Sequence, residues 1–291
     1  MLALFALFAL AAVDLDHDGL DDQLEARLLA QFRPRLHVSR TDCDGLPAEF
    51  GLKGVVSRNG TLYGQAFPAR LAGREFVELH YFHLWGRDCG RVGHKLDAEH
   101  VSALLAPDGA GGWRAVYWLA TGHGGTPCNS DNAARAAQLG GEHSGPNVWA
   151  SYGKHASFLT RDLCNKSPCD GDVCRDMIEV PAAPVVNLGQ AGALFPGLEW
   201  VDSLSWGLGK KMGPDFTPQL FARLEKLPVQ PASVSGGVEP VTSVWLAGSE
   251  TIGAVDTAGS HTRNALGTAE KKSAGGLRRA WRSTRGFLGG K

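Results

Sequence analysis

The acidic stretch near the start of the chain is the most specific chemical pattern in it. Asp14-Leu-Asp16-His-Asp18-Gly19-Leu20-Asp21-Asp22-Gln-Leu-Glu25 matches D-x-D-x-D-G-x5-E at every place. Calcium takes six to eight oxygen ligands, and a loop that curls around the ion supplies them at alternate positions. Asp14, Asp16 and Asp18 offer carboxylates, Gly19 permits the sharp turn, and Leu20 offers its backbone carbonyl. Asp22 is expected to act through a water and Glu25 to close the site with both oxygens. An acidic helix N-terminus would also favour carboxylates through the macrodipole, but it would not require Gly19 and Glu25.

A second cluster lies in Gly93-His94-Lys-Leu-Asp97-Ala-Glu99-His100-Val101. If Asp97 to Val101 is extended, Asp97 and Glu99 share one face, because side chains on a strand alternate with period two. His94 enters from the preceding loop, and one imidazole with two carboxylates is a partial shell for Mg2+, Mn2+ or Ca2+. His155 and His123 can complete the pocket from neighbouring strands, the latter from the Gly-rich loop Thr121-Gly-His123-Gly-Gly. His100 faces the other way, as a core histidine. His80 and His83 fall on opposite faces of one strand and cannot serve one site. The chain contains no G-x-S-x-G, P-loop, H-E-x-x-H or G-x-G-x-x-G motif. A hydrolase would therefore have to use the cation to activate water, with His155 or His100 shuttling protons.

These side chains need elements to hold them. Leu20, Leu24, Leu28 and Phe32 recur every four residues, which predicts a helix carrying one apolar stripe and ending at Pro34. Within residues 35–228, the segments Phe76 to Trp85, Glu99 to Leu105, Trp113 to Ala120 and Val148 to Phe158 are rich in β-branched and aromatic residues between Gly-rich turns. Short helices are expected at Ala133 to Leu139 and Pro218 to Leu227, the second with Thr217 as N-cap and Pro218 in the first turn. The fold class is mainly β with some α: a β-sandwich body with attached helices.

The first 12 residues are an apolar run too short to span a bilayer, with small residues at Ala9-Leu10-Ala11; they read as a secretory signal peptide. Residues 13–34 form the calcium loop and helix, and 229–291 a basic, low-complexity tail. Six cysteines, all beyond the signal segment, suggest disulfides in an exported chain, with the connectivity open. A zinc cluster of Cys164, Cys169 and Cys174 is the alternative, though C-x2-C pairs are missing. The net charge of -1 gives no reason to expect specific nucleic-acid binding. From Gly237 the tail repeats every eleven residues, with Val244, Val255, Leu266, Leu277 and Leu288 in one place of each block. Lys271, Lys272, Arg278, Arg279, Arg282 and Arg285 could meet anionic lipid headgroups or another envelope component, and Trp281 and Phe287 could insert.

Three family resemblances follow from these residues. The first loop resembles EF-hand loops, and more closely the isolated calcium loops of thrombospondin type 3 repeats, since no entering helix precedes Asp14; a structural clamp is then implied rather than a sensor. His94-x-x-Asp97-x-Glu99-His100-Val101, with the later Pro146-Asn-Val148-Trp149-Ala-Ser-Tyr152-Gly-Lys-His155-Ala156, resembles the vacuolar protein sorting-associated protein 62 family. Gly93-His94-x-x-Asp97-x-Glu99 resembles, more distantly, the heptapeptide of the necrosis- and ethylene-inducing-peptide-like proteins, secreted β-sandwich cytolysins. The likeness to the cytolysins implies a divalent cation held by His94, Asp97 and Glu99, with Asp88 as the nearest fourth ligand. Ala98 stands where these families have Trp, and Leu96 where the cytolysins have a second His, so it implies the pocket rather than the cytolysis.

The expectation is an exported protein, secreted or in the periplasm or cell envelope. It binds Ca2+ and a second divalent cation and acts as a surface-binding module for lipid, glycan or envelope. A metal-dependent hydrolase and a purely structural envelope protein are the alternatives. The sequence leaves the ligand and oligomeric state open.

Overall fold

The period-two alternation of residues 76–85 and 99–105 forms two long neighbouring strands around which the molecule is built. A computed structural model describes residues 13–90, 93–123, 129–167, 169, 171–203, 208–227 and 231–233. The apolar run read as a signal peptide and the eleven-residue repeats lie outside the described residues. The described residues all lie within Met1–Ala247.

In chain order the elements are α1 (Asp22–Gln31), β1 (Arg35–Ser39), β2 (Glu49–Gly51), β3 (Gly54–Ser57), β4 (Leu62–Leu71), β5 (Arg74–Arg87), β6 (Lys95–Pro107), β7 (Trp113–Ala120), β8 (Asn132–Arg135), β9 (Asn147–Ala150), β10 (Ser157–Phe158), α2 (Arg161–Asn165), β11 (Met177–Glu179), β12 (Val185–Asn187), β13 (Gly189–Gln190), β14 (Ala193–Leu194), α3 (Trp200–Ser203), α4 (Leu208–Lys211), α5 (Pro218–Leu224) and β15 (Ala232–Ser233). A seven-stranded sheet runs β12-β4-β5-β6-β7-β8-β15, and a four-stranded sheet β10-β9-β1-β11 packs on it. The body is a mainly β sandwich with attached helices.

Alternation along β5 and β6 sorts their side chains into two layers. Leu79, Tyr81, Trp85, Val101 and Ala103 enter the core between the sheets, where they meet Leu36, Val38, Val148 and Leu159. Phe76 and Leu104 turn outward beneath α5, and Phe82, Leu84 and Ala98 beneath α3 and α4. Both faces of the large sheet are therefore covered, and β5 reads as a continuous apolar run broken only by its polar site residues. The leucine stripe of α1 packs as its spacing requires, with Leu28 and Phe32 buried and Leu20 and Leu24 against the same core. Asp21 caps that helix by accepting from the Leu24 amide.

Two local expectations are corrected. Ala133 to Leu139 is not one helix: Asn132–Arg135 is drawn into the sheet by pairing with β7, and only Ala136–Leu139 makes a 3-10 turn. Val148 to Phe158 is not one strand either. It breaks at Ser151–His155, where Gly153 and His155 adopt positive φ, and returns as β10 alongside β9. Thr217 caps α5 through the Leu220 amide with Pro218 in the first turn, as expected.

Cys43 pairs with Cys89, and Cys164 with Cys174. Cys169 is also in a disulfide. This overturns the zinc alternative, because a thiolate committed to a disulfide cannot ligate metal.

Candidate functional site

The N-terminal loop folds its acids inward. One carboxylate oxygen from each of Asp14, Asp16 and Asp18 lies within 4.8 Å of the others, and the same holds for Asp16, Asp22 and Glu25, so Asp16 joins two triplets. Gly19 takes φ +92°, the turn its place in the motif demands. Asp14 is held by the amides of Asp18 and Gly19 at 3.2 and 3.1 Å, and Asp18 by that of Leu20 at 2.7 Å. Asp22 is near enough to Asp16 and Glu25 to share an ion directly, where the motif predicted a water between.

The body closes the loop from below. Asn187 donates to Glu25 Oε2 at 2.6 Å and Gln190 to Asp18 Oδ2 at 3.3 Å. Asp16 and Glu25 are almost fully buried, yet both oxygens of Asp16 and Oε1 of Glu25 have no hydrogen-bond partner. Burial, reinforced by the charges of Asp18 and Asp14, pushes Asp16 up to about 6. Glu25 is pushed up to about 8 by burial, which outweighs the Asn187 bond and is reinforced by Asp16, Asp18 and Asp22. Glu25 therefore holds its proton at neutral pH, and a cation among these carboxylates would release it.

The second cluster sits at the end of β6. β7 pairs with β6 only from Val101 to Pro107, so residues 95–100 have β5 on one side and loops on the other. Asp97 and Glu99 share a face, both nearly buried. His155 meets Asp97: its Nδ1 lies 2.9 Å from Asp97 Oδ2, while its Nε2 lies 3.1 Å from Asp42 Oδ1. The ring stacks on Trp85 at 3.8 Å between centroids and 7° between planes. Burial alone would lower the His155 pKa, but the bonds to Asp42 and Asp97 outweigh it and raise it to about 9. Asp42 is held below the usual carboxylate range because His155 overcomes the effect of its own burial. The result is a buried imidazolium clamped between two carboxylates.

Glu99 completes this end of the face. Burial raises its pKa to about 7; Lys211, with Nζ 3.6 Å from Oε2, pulls it down and Asp97 pushes it up. The Lys211 ammonium also donates to the Ala98 carbonyl. His123 Nε2 lies 3.0 Å from both oxygens of Asp172, which also accepts from Ser151 and Ser167. Burial lowers the His123 pKa, and the Asp172 bond more than restores it.

His94 is not brought to Asp97 and Glu99. Its side chain is 58% exposed, with Nε2 3.9 Å from Asp88 Oδ2. The β5–β6 ladder runs on to Arg87 and Lys95, and the Asp88 amide bonds the His94 carbonyl, which holds His94 at the mouth of the hairpin. His100 and His80 point to the opposite layer from His83, as alternation requires. His83 Nδ1 accepts from the donor-only Trp85 Nε1, leaving Nε2 to donate to Ser157. Asp42, Asp172 and Lys211 had no motif to mark them. Their only sequence signals were polar neighbours of cysteines or, for Lys211, none.

No family model matches this chain, and no curated protein matches it. Solved structures similar to it include one described as a toxin fold for microbial attack and plant defense, at 14% identity over 68% of this chain and 91% of that one, TM-score 0.42. Necrosis and Ethylene inducing Protein 2 from the causal agent of cocoa's Witches Broom disease is 16% identical over 67% and 88%, TM-score 0.41. The non-toxic HaNLP3 protein is 10% identical over 67% and 92%, TM-score 0.42. Likeness at this level assigns this chain neither a family nor an activity.

Proposed function

We propose that this protein is an exported, calcium-clamped β-sandwich that works as a surface-binding module, secreted or held in the cell envelope. The observation that carries the calcium reading is the set of three buried, unpartnered carboxylate oxygens on Asp16 and Glu25, ringed by Asp14, Asp18 and Asp22. An all-oxygen set of this charge suits Ca2+. The ion would tie residues 14–25 to Asn187 and Gln190 at the β12 edge, a structural role rather than a sensor's. The disulfides favour an oxidising compartment.

The mouth of the β5–β6 hairpin, with exposed His94 beside the nearly buried Asp97 and Glu99, is the region proposed to meet a lipid headgroup, glycan or envelope component. A second divalent cation there would rest on Asp97 and Glu99 in place of the His155 and Lys211 charges that now face them, and without His94, which the hairpin register holds at Asp88. The hydrolase reading is weaker, because His155 and His100 each commit both ring nitrogens and have none left to shuttle protons. The basic tail is proposed to add attraction to anionic surfaces.

Calorimetric titration of the full chain with Ca2+ tests the clamp: one site is expected, lost in Asp16→Asn. Sedimentation with anionic vesicles and a glycan-array screen, with Asp97→Asn beside the wild type and with and without residues 237–291, tests the surface reading. Equal retention by all forms, or by none, would discard it.

A further inference from the structure

Beneath the helices, on the side of the large sheet away from Asp97, lies a second group of ligand-type side chains that the proposed function does not use. His80 from β5, His100 from β6 and Asp215 from the loop before α5 place one donor atom each within 4.8 Å of the others. His100 Nε2 is 2.9 Å from Asp215 Oδ2, and His80 Nε2 is 3.8 Å from the same oxygen. Glu78 adds a fourth donor, its Oε1 2.7 Å from His80 Nε2. The two rings stack nearly parallel, 5.4 Å apart.

We propose that Glu78, His80, His100 and Asp215 form a buried site for a zinc-like transition-metal dication that pins the α5 loop to the sheet.

Three physical features support it. The first is spacing. A tetrahedral ion bound at about 2.0 Å needs donors roughly 3.3 Å apart; Asp215 Oδ2 lies 2.9 and 3.8 Å from the two histidine nitrogens, on either side of that value, and Glu78 Oε1 stands 2.7 Å from His80. The second is charge. Two carboxylates face two imidazoles in a space where Glu78, His80 and His100 are at most 4% exposed and the Asp215 side chain 19%, so a dication balances two charges that a single protonated ring would only halve. Glu78 Oε2, wholly buried, has no hydrogen-bond partner. The third is support around the ligands. Thr121 Oγ1 lies 3.1 Å from His100 Nδ1, Ser102 donates to Asp215, and the Asp215 amide donates to Glu78 Oε1 at 2.6 Å. Metal-bound histidines are commonly held through the second ring nitrogen in this way. Two imidazoles select a borderline-soft ion over Ca2+ or Mg2+, which separates this site from the all-oxygen N-terminal loop.

The test uses the full chain carrying Asp16→Asn, so that the calcium loop contributes no metal. The protein is unfolded with disulfides intact, stripped with chelator, refolded with zinc or cobalt alone, and gel-filtered. One zinc retained per chain is expected, with visible d–d absorption from the cobalt form. His100→Gln and Asp215→Asn should cut retention at least tenfold. Thr121→Val, which leaves all four ligands in place, should weaken affinity about 10- to 100-fold and serves if the ligand variants do not fold. Failure of the refolded parent to retain metal, or retention by His100→Gln and Thr121→Val equal to the parent's, would overturn the site and leave an ion-paired polar network. Calcium binding by the wild type is unaffected by either outcome.

Discussion

Raising the pH above neutrality should loosen this protein at the His155 clamp. His155 is a buried imidazolium between Asp42 and Asp97, with a folded pKa of about 9 against an ordinary 6.5. A raised pKa means that its stabilisation is fully present below pH 6.5, shrinks as the pH climbs, and is gone above about 9. Two to three pKa units at about 1.4 kcal/mol each come to about 3 kcal/mol. The ring has no exposed surface, so solvent screening does not discount that figure. The lowered pKa of Asp42 is the same attraction seen from the carboxylate and is not added to it. Glu99 on β6 and His83 on β5 also face this group. Glu99, raised to about 7, loses stability between pH 4.5 and 7; because the His155 charge helps to lower its pKa, the pH 6 to 9.5 comparison also carries a smaller Glu99 contribution. Urea unfolding of wild type and His155→Gln in saturating calcium, with disulfides intact, isolates the His155 contribution. The wild type's advantage should fall by about 3 kcal/mol between pH 6 and pH 9.5. A constant advantage, or an imidazole resonance titrating near the ordinary value, would refute the clamp.

The calcium loop has its own pH signature: in chelator, Asp16 at about 6 and Glu25 at about 8 make the protein less stable at pH 8 than at pH 5, and thermal melts should show calcium erasing that difference. Calcium at a thousand times its dissociation constant should add about 4 kcal/mol at neutral pH, and chelator-insensitive melts would count against the site. Opening the Cys43–Cys89 bridge, which spans 46 residues, by Cys43→Ser with Cys89→Ser should cost about 4 kcal/mol in urea unfolding. Gly145→Ala would place a Cβ 1.9 Å from the Arg33 carbonyl oxygen, a backbone atom that cannot swing aside; a loss of about 3 kcal/mol or more is expected, and a neutral result would mean that the chain does not pass there.

Local chemistry was legible wherever the residues that act together lie close in the chain. The N-terminal acidic loop spans twelve residues, so the spacing of its carboxylates, its Gly19 turn and the α1 stripe behind it could all be read from residue order. Period-two patterning likewise announced β5, β6 and β7 and put Asp97 and Glu99 on one face. Residues 132–135 misled because small, helix-tolerant alanines carry no period, and pairing with β7 decided their state. The partners of Asp97 were not legible at all. His155 comes from 58 residues away and its other carboxylate, Asp42, from 113, and only the packing of the four-stranded sheet on the large one brings them to a single ring. Asp215 reaches His100 across 115 residues in the same way. His94 stands three residues from Asp97 and still does not meet it, because the hairpin register and not sequence distance sets where a side chain can reach.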